Sequence, residues 1–234
     1  MRALVIKHDH VSPPGHVGDR LIERGYELDE HLVVEQDNYH RPHLHNPFPS
    51  LECADLVVSM GAPWSAYDEA GVGRWVAVEL DLLRRADAQG IPVLGICFGG
   101  QLLAAAHGGT VEASAEAEIG WVDIDTDDPG LIPPGPWFQW HYDRFHVPPG
   151  GMEVARNAVT SQAFLLRRNL AVQFHPELFP GMLRGWLDTG GREQAIARDL
   201  DPEALIVQTE KIDAEARLRA AQLVDAFLDR VAVN

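Results

Sequence analysis

Short apolar runs alternate with amphipathic stretches along the first half of the chain. Apolar runs with the length of buried strands occupy residues 3–6, 28–34, 54–60 and 91–96. Apolar side chains recur at helical spacing in residues 15–24, 75–88 and 101–107. Each of these helical stretches ends close to a glycine, which is a helix-stop signal. The alternation predicts parallel strands joined by crossover helices.

The second half of the chain has a different pattern. Strand-like segments separated by Asp, Pro and Gly turns occupy residues 110–113, 119–124, 137–146, 152–155 and 162–174. Helical patterns return at residues 179–187 and 202–231. In the last helix we expect an apolar stripe formed by Leu218, Leu223, Val224, Phe227 and Val231. Because no repeat or linker interrupts the chain, we expect one α/β domain, residues 1–234, with an antiparallel strand insertion.

Composition and charge narrow the range of partners. The net charge is −16, and full protonation of all 11 histidines would still leave the chain acidic. Nucleic acids and anionic membranes attract clustered cations, so we expect neither as a partner. Neither a signal peptide nor a membrane span of about 18 apolar residues is recognisable. Two cysteines are enough for one disulfide, so their number alone does not exclude one. We expect a cytoplasmic protein, and we expect Cys53 to be a packing residue before a strand.

The most specific motif is Gly95-Ile96-Cys97-Phe98-Gly99-Gly100-Gln101, where an apolar strand ends and a helix begins. Small residues around a nucleophile permit the sharp bend that lifts its side chain above the sheet edge. The N–H dipoles at a helix N-terminus favour the thiolate of Cys97, and the N–H of Phe98 is free to meet an oxyanion. A lone cysteine is more often a packing residue, but glycines on both sides favour a nucleophile.

A nucleophilic thiol needs a base, and His175-Pro176-Glu177 offers one directly after an apolar strand. Residues i and i+2 of an extended segment project from the same face, so Glu177 can fix the tautomer of His175. On its own, the motif is equally typical of a strand-end histidine beside a solvated carboxylate. Together with Cys97, it predicts a thiol–imidazole–carboxylate triad.

A second loop at a strand end, Ser59-Met60-Gly61-Ala62-Pro63, is expected at the same edge of the sheet. A backbone N–H near Gly61 or Ala62 would face Cys97 there and act as a second oxyanion donor beside Phe98. An ordinary glycine–proline turn explains the local sequence equally well.

These motifs resemble those of the class I, triad-type glutamine amidotransferases. The resemblance is carried by Gly95-x-Cys97-x-Gly99-x-Gln101 and His175-Pro176-Glu177, with Gly61-Ala62-Pro63 in the position of that family's oxyanion loop. Weaker similarity includes residues 66–69, 118–121 and 139–143. The chain looks most similar to stand-alone proteins related to the glutaminase domain of GMP synthase. The fold implied is that family's doubly wound, mostly parallel, flavodoxin-like sheet flanked by helices.

The resemblance implies a reaction as well as a fold. Cys97 would attack the side-chain amide of glutamine, His175 would transfer the proton, and Glu177 would orient His175. A γ-glutamyl thioester would form, ammonia would leave, and water would release glutamate.

The resemblance also implies substrate contacts. Backbone groups around Trp140, His141 and Tyr142 would hold the amino-acid end of glutamine, and Gln101, one helical turn after the nucleophile, would help to seat it. Two positions depart from the family's pattern. Ala62 stands where a second glycine is usual, and Tyr142 replaces a small residue.

The fate of the ammonia depends on a partner. The family usually passes ammonia to a synthetase, and this sequence has no Gly-x-x-x-x-Gly-Lys-[Ser/Thr] phosphate loop. We therefore expect a synthetase partner chain as the acceptor, while hydrolysis of a γ-glutamyl compound without an acceptor stays open. We expect no cofactor and no metal site, because His40, His43 and His45 lie in a loop that sets no ligand geometry.

Two other classes of function stay open. A cysteine hydrolase of the α/β-hydrolase type, similar to dienelactone hydrolase, shares the nucleophile turn, but its acid precedes the histidine, whereas Glu177 follows His175. A redox-sensing or partner-binding protein with a reactive Cys97 would not need the His-Pro-Glu motif.

Two weaker candidates for site residues remain. His141 has no acid beside it in the sequence, and His8-Asp9-His10 is more typical of an ordinary loop than of a site rim.

Overall fold

The computed structural model describes residues 1–233. The strands are β1 (Arg2–Lys7), β2 (Glu27–Leu32), β3 (Leu56–Ser59), β4 (Val93–Ile96), β5 (Val111–Asp123), β6 (Asp125–Thr126), β7 (Pro136–Phe145), β8 (Met152–Arg156), β9 (Ser161–Leu166) and β10 (Asn169–Val172). The α-helices are α1 (Gly15–Glu23), α2 (Gly73–Ala88), α3 (Phe98–Ala106), α4 (Pro180–Trp186), α5 (Arg192–Ile196) and α6 (Pro202–Ala226). After α4 the segment Leu187–Gly191 contains a kink, with non-helical backbone at Thr189 and Gly190, and a wider π-helical turn, Phe227–Val231, follows α6.

Eight of the strands form one sheet in the order β2-β1-β3-β4-β10-β9-β8-β6. The five strands from β2 to β10 pair in parallel. The strands β9, β8 and β6 extend this sheet in antiparallel fashion, and β5 pairs with β7 in a separate antiparallel ribbon. The predicted mostly parallel α/β architecture with an antiparallel insertion is therefore confirmed.

Hydrophobic cores cover both faces of the parallel strands. Along β1, Ala3 and Val5 belong to the core that α1 and α6 cover. The alternate residues Leu4 and Ile6 belong to the core that α2 and α3 cover. Because both faces are buried, the parallel strands have continuous apolar runs instead of alternating polar and apolar residues.

The carboxyl ends of β1, β3, β4 and β10 lie side by side. The register aligns Ile6 with Ser59, Ser59 with Gly95, and Ile96 with Val172. The segments that follow these strands therefore emerge at one edge of the sheet. Open α/β sheets bind their ligands at this edge, so the fold places the candidate motifs where a site is expected.

Some predicted strand boundaries were wrong. Residues 110–113 and 119–124 belong to the single strand β5, whose pairing is interrupted by a bulge between Ala113 and Glu118. Residues 162–174 are not one strand but contain the hairpin β9–β10. Polar residues at a bulge and a short turn inside an apolar run both hide the true boundaries from a periodicity argument.

Three other features differ from the predictions. Helix α3 begins at Phe98 instead of Gln101, because the glycines of its first turn mask the helical pattern. Leu218 is 66% exposed and does not belong to the apolar stripe of α6. Cys53 is exposed and not packed. None of the helices in residues 1–233 combines the length and the apolar character that crossing a membrane requires.

Candidate active site

Cys97 occupies the turn between β4 and α3. Its φ of 50° and ψ of −106° lie in a region that residues with a side chain rarely adopt. Gly99 permits the turn, because a Cβ there would lie 2.0 Å from the carbonyl oxygen of Ser59. The N–H of Cys97 donates to the carbonyl of Val172 at 2.8 Å, which fixes the turn against β10. A strained backbone at a single nucleophilic side chain is typical of a functional site.

The sulfur of Cys97 lies at the N-terminus of α3, and the residue is 4% exposed. Nε2 of Gln173 approaches the sulfur at 3.6 Å, and the carbonyl oxygen of Trp140 lies 4.0 Å from it. The N–H of Phe98 makes no hydrogen bond within residues 1–233. The positive end of the helix dipole and a free N–H together stabilise negative charge at this turn.

His175 and Glu177 form a buried pair. Nδ1 of His175 donates to Oε1 of Glu177 at 2.8 Å, although the two residues lie in a turn and not in the extended segment that was predicted. The N–H of His175 donates to the carbonyl of Phe138 at 2.9 Å, and the ring of Trp186 meets the imidazole edge-on at 4.8 Å. Because Nδ1 is occupied by the carboxylate, Nε2 is left for the thiol. In the described chain, Nε2 makes no hydrogen bond of regular geometry.

Neighbouring charges determine the protonation state of His175. Burial by itself lowers the pKa of His175, but the Glu177 carboxylate and the Cys97 sulfur outweigh it and raise the pKa to about 10. The imidazole is therefore positively charged at neutral pH. A charged imidazole beside a thiol is the arrangement of an activated cysteine nucleophile.

The loop after β3 packs directly on His175 and Cys97. A Cβ at Gly61 would lie 2.9 Å from Cε1 of His175 and 3.8 Å from Cβ of Cys97. Like that of Phe98, the N–H groups of Gly61 and Ala62 form no hydrogen bond with any described residue. N–H groups without a hydrogen-bond partner among the described residues therefore lie both in the turn that carries Cys97 and in the loop that packs on it.

The predicted substrate residues on α3 and β7 line the same pocket as the sulfur. Gln101 is held by its Nε2, which donates to the carbonyl of Asp143 at 3.2 Å. Nε1 of Trp140 and the hydroxyl of Tyr142 both donate to Oε1 of Gln194, at 3.3 Å and 2.9 Å. Gln194 was not predicted, because it comes from α5, far along the chain from both aromatic residues.

His141 also lines the pocket. Its Nδ1 donates to the carbonyl of Asp143 at 3.0 Å, and its Nε2 lies 3.2 Å from Oε2 of Glu118. The absence of an acid beside His141 in the sequence was therefore misleading, because β5 supplies one. Glu118 accepts hydrogen bonds from Asn157 and Gln162, whereas Nε2 of His141 makes none with any described residue, so the contact between His141 and Glu118 is one of charge and distance only.

The loop after β1 also contributes to the pocket. Asp9 and Ser12 line it, so the interpretation of His8-Asp9-His10 as an ordinary loop was wrong for Asp9, whereas His8 and His10 do not line the pocket. Asp9 is 3% exposed and accepts hydrogen bonds from the N–H of Val11 and the hydroxyl of Ser12. Burial, opposed by these hydrogen bonds, raises the pKa of Asp9. The remaining unpredicted lining residues include Tyr39, Trp64, Trp186 and Thr189.

Within residues 1–233, no three His, Cys, Asp or Glu side chains are arranged to hold a metal ion. Positions 40, 43 and 45 lie in a segment without helix or strand. Cys53 and Cys97 are both free thiols.

Comparison with known proteins gives a consistent result. Residues 17–185 match the family described as Glutamine amidotransferase class-I. The glutamine-hydrolyzing GMP synthase of Nitrobacter hamburgensis is 33% identical over 150 residues, which cover 56% of this chain and 26% of that protein. The corresponding enzyme of Anaplasma marginale is 36% identical over 138 residues, which cover 53% and 26%. The chain thus spans about a quarter of the length of these curated relatives.

Solved structures extend the similarity to nearly the entire chain. A glutamine amidotransferase from Methylobacillus flagellatus has a TM-score of 0.83 at 27% identity, over 97% of this chain and 94% of that one. A glutamine amidotransferase from Thermotoga maritima has a TM-score of 0.83 at 24% identity, over 98% of each chain.

Proposed function

The chain belongs to the class-I glutamine amidotransferase family, and from this premise we propose that Cys97, His175 and Glu177 hydrolyse the side-chain amide of glutamine. One observation carries the assignment of these residues. A thiol on a strained turn at a helix N-terminus lies beside an imidazole whose pKa is raised to about 10. This arrangement supports a thiolate nucleophile and a proton donor in the same resting state.

In the first half-reaction, the Cys97 thiolate attacks the amide carbon of glutamine. A carbon–sulfur bond forms, and the carbonyl electron pair moves to the oxygen, which the N–H groups of Phe98 and of Gly61 or Ala62 stabilise. The imidazolium of His175 gives its Nε2 proton to the leaving nitrogen. The carbon–nitrogen bond breaks, ammonia leaves, and a γ-glutamyl thioester remains on the sulfur.

In the second half-reaction, the neutral His175 takes a proton from water. The resulting hydroxide attacks the thioester, and the carbon–sulfur bond breaks to release glutamate and restore the thiolate. One water is consumed for each glutamine. Glu177 stabilises the imidazolium and holds its Nδ1 proton throughout the reaction.

We also propose that Gln101, Trp140, His141 and Tyr142 bind the amino-acid end of glutamine. Their place in the pocket lining supports this role. The hydrogen bond from Tyr142 to Gln194 shows how the larger residue at position 142 is accommodated, since its hydroxyl turns toward α5.

We propose that the ammonia passes to a synthetase on a partner chain and that residues 1–234 act as one cytoplasmic amidotransferase domain. The curated relatives are named as synthases, and the similarity covers 26% of their length. Two free cysteines support a reducing compartment. Addition of the acceptor synthetase with its substrates is expected to raise glutamine turnover, whereas unchanged turnover in their presence would contradict the pairing.

The alternative of an α/β-hydrolase-type cysteine hydrolase is not favoured. The acid Glu177 pairs with His175 from two residues further along the chain, which is not the order of that fold. The family match and the structural neighbours point to amidotransferases instead.

Release of glutamate and ammonia from glutamine tests the proposed function. We expect equal amounts of both products, a loss of about 10³-fold or more in Cys97→Ala, and wild-type turnover in the matched control Cys53→Ala. The glutamine mimic 6-diazo-5-oxo-L-norleucine is expected to label Cys97, as mapped by mass spectrometry. Labelling at Cys53 alone, or normal turnover in Cys97→Ala, would exclude Cys97 as the nucleophile.

A further inference from the structure

A second imidazole–carboxylate pair lies behind the Gly61 loop and takes no part in the reaction described above. Nε2 of His8 is 2.9 Å from Oε2 of Glu79, and both side chains are fully buried. The hydroxyl of Ser59 donates to the other carboxylate oxygen at 2.7 Å. Two charged groups are costly to bury, so their presence beside the active site calls for a physical reason.

The second ring nitrogen of His8 points at the loop. Nδ1 lies 3.1 Å from the carbonyl oxygen of Gly61. A carbonyl and a carboxylate both accept hydrogen bonds, so both ring nitrogens have to donate, which requires the charged imidazolium. Burial lowers the pKa of His8, but the Glu79 carboxylate and the Gly61 carbonyl outweigh it, and the pKa is raised.

The direction of the Gly61 carbonyl determines the direction of the next N–H. In a trans peptide, the carbonyl of one residue and the N–H of the following residue point in opposite directions. Because the Gly61 carbonyl faces His8, the Ala62 N–H faces away from His8. The Cα of Gly61 packs on His175 and Cys97. Glycine at position 61 leaves this peptide free to rotate unless a partner holds it.

We propose that His8, oriented by Glu79, is a positioning residue that locks the Gly61–Ala62 peptide with the Ala62 N–H directed at the oxyanion. This inference rests on the proposed function, because it takes the Ala62 N–H as an oxyanion donor. Trp75 and Phe98 pack on the His8 ring, at centroid distances of 5.4 Å and 4.9 Å, and prevent it from turning away from the loop.

Two amide substitutions separate the two hydrogen bonds of His8. An asparagine amide reaches the position of Nδ1 and keeps the donor to Gly61, whereas a glutamine amide reaches the position of Nε2 and keeps the donor to Glu79. We expect His8→Gln to lower kcat about tenfold to a hundredfold with little change in KM, because an oxyanion donor loses its orientation. His8→Asn is expected to restore most of kcat.

The loss of thermal stability is expected to rank the two variants in the opposite order to the loss of kcat. Both variants remove the positive charge, but His8→Asn also leaves Glu79 buried without a hydrogen-bond donor at position 8, so its Tm should fall further than that of His8→Gln. A merely structural role for His8 requires kcat to follow Tm. The inference is overturned if His8→Asn loses more kcat than His8→Gln, or if His8→Gln retains wild-type kcat.

The same substitution elsewhere serves as a matched control. Nε2 of the buried His16 lies 3.0 Å from Oδ1 of the half-buried Asp213, and no hydrogen bond joins the side chains of this pair to the Gly61 loop. His16→Gln is therefore expected to leave kcat unchanged. A loss of kcat equal to that of His8→Gln would show that the effect is general to buried histidines, and the proposal would be wrong.

Alkylation of the thiol separates oxyanion stabilisation from thiol reactivity. In a Cys53→Ser background, iodoacetamide modifies Cys97 without forming an oxyanion, so its rate in His8→Gln should remain within about twofold of the rate with His8. A fall in parallel with kcat would place the effect on the thiol and overturn the proposal.

Hydrolysis of an activated ester tests the role of His8 even if the protein does not hydrolyse glutamine. Hydrolysis of p-nitrophenyl acetate by a cysteine site passes through an oxyanion at the same N–H donors. Hydrolysis of this ester without hydrolysis of glutamine would refute the proposed function. The kcat for ester hydrolysis would still rank the His8 variants, and we again expect His8→Gln to lose more kcat than His8→Asn.

Discussion

The charge of Glu177 can be removed while its hydrogen bond is kept. In Glu177→Gln, the amide oxygen still accepts the Nδ1–H of His175, which lies 2.8 Å from Oε1 in the wild type. The tautomer and orientation of the ring are therefore preserved. What changes is the electrostatic support of the imidazolium, so the variant isolates the effect of the carboxylate charge on proton transfer.

The expected magnitude follows from the pKa of His175. At about 10 in the wild type, the ring is almost fully charged at pH 7.5. Without the carboxylate, burial is opposed mainly by the Cys97 sulfur, and we expect the pKa to fall to about 6.5 or below. About a tenth or less of the ring is then charged at pH 7.5, so kcat should fall about tenfold to a hundredfold. Loss of the ring in His175→Ala should cost more, since it removes proton transfer itself.

The sign of the pH dependence is also determined. A raised pKa keeps the imidazolium present until the pH passes about 10, whereas the variant loses it from about 6.5 upward. The ratio of variant to wild-type kcat, measured from glutamate release, should therefore decrease as the pH rises between these values. Glu118→Gln, which neutralises the buried carboxylate beside His141, is the control and should show no such trend. A ratio that is constant or increases with pH would refute the electrostatic role of Glu177.

Other substitutions test the geometry of the pocket. Cys97→Gly should be inactive but about 1 kcal/mol more stable than Cys97→Ala in urea unfolding, because glycine relieves the positive φ; equal stability would argue against strain at the turn. Gly61→Ala should lower kcat about tenfold or more by steric contact with His175, and wild-type turnover would show that the loop yields easily. Gln194→Ala should raise KM for glutamine several-fold at nearly constant kcat, because Trp140 loses its hydrogen-bond acceptor; a fall in kcat alone would contradict this.

The fold was predictable where local sequence and global burial agree. Apolar runs such as residues 91–96 give the parallel strands, because both faces of these strands are covered. The antiparallel insertion was predicted in kind but not in detail. The bulge at Ala113 in β5 and the short turn of the β9–β10 hairpin depend on cross-strand pairing, which local periodicity does not encode.

The motif residues of the candidate site could be recognised in the sequence, because each motif consists of a few consecutive residues. A glycine-flanked thiol and a His-x-Glu segment are each contained in a few residues. Gln194 and Glu79 carry no such signal. Glu79 is an acidic residue in an amphipathic helix, and its pattern predicts a solvated position, yet it is fully buried. Its partner His8 follows strand β1, whereas Glu79 lies in helix α2, so only the tertiary fold brings the two side chains together.

The two imidazole–carboxylate pairs both contact the Gly61 loop. The Cα side of Gly61 packs on His175, which the paired Glu177 keeps charged, and its carbonyl side faces His8, which the paired Glu79 keeps charged. Apolar residues in place of the second pair would fill the same space without burying charge, and stability alone would favour them. A protonated ring offers what an apolar side chain does not, namely a donor that fixes one peptide direction. The buried charge behind the loop is therefore explained by the requirement for a rigid oxyanion donor in front of it.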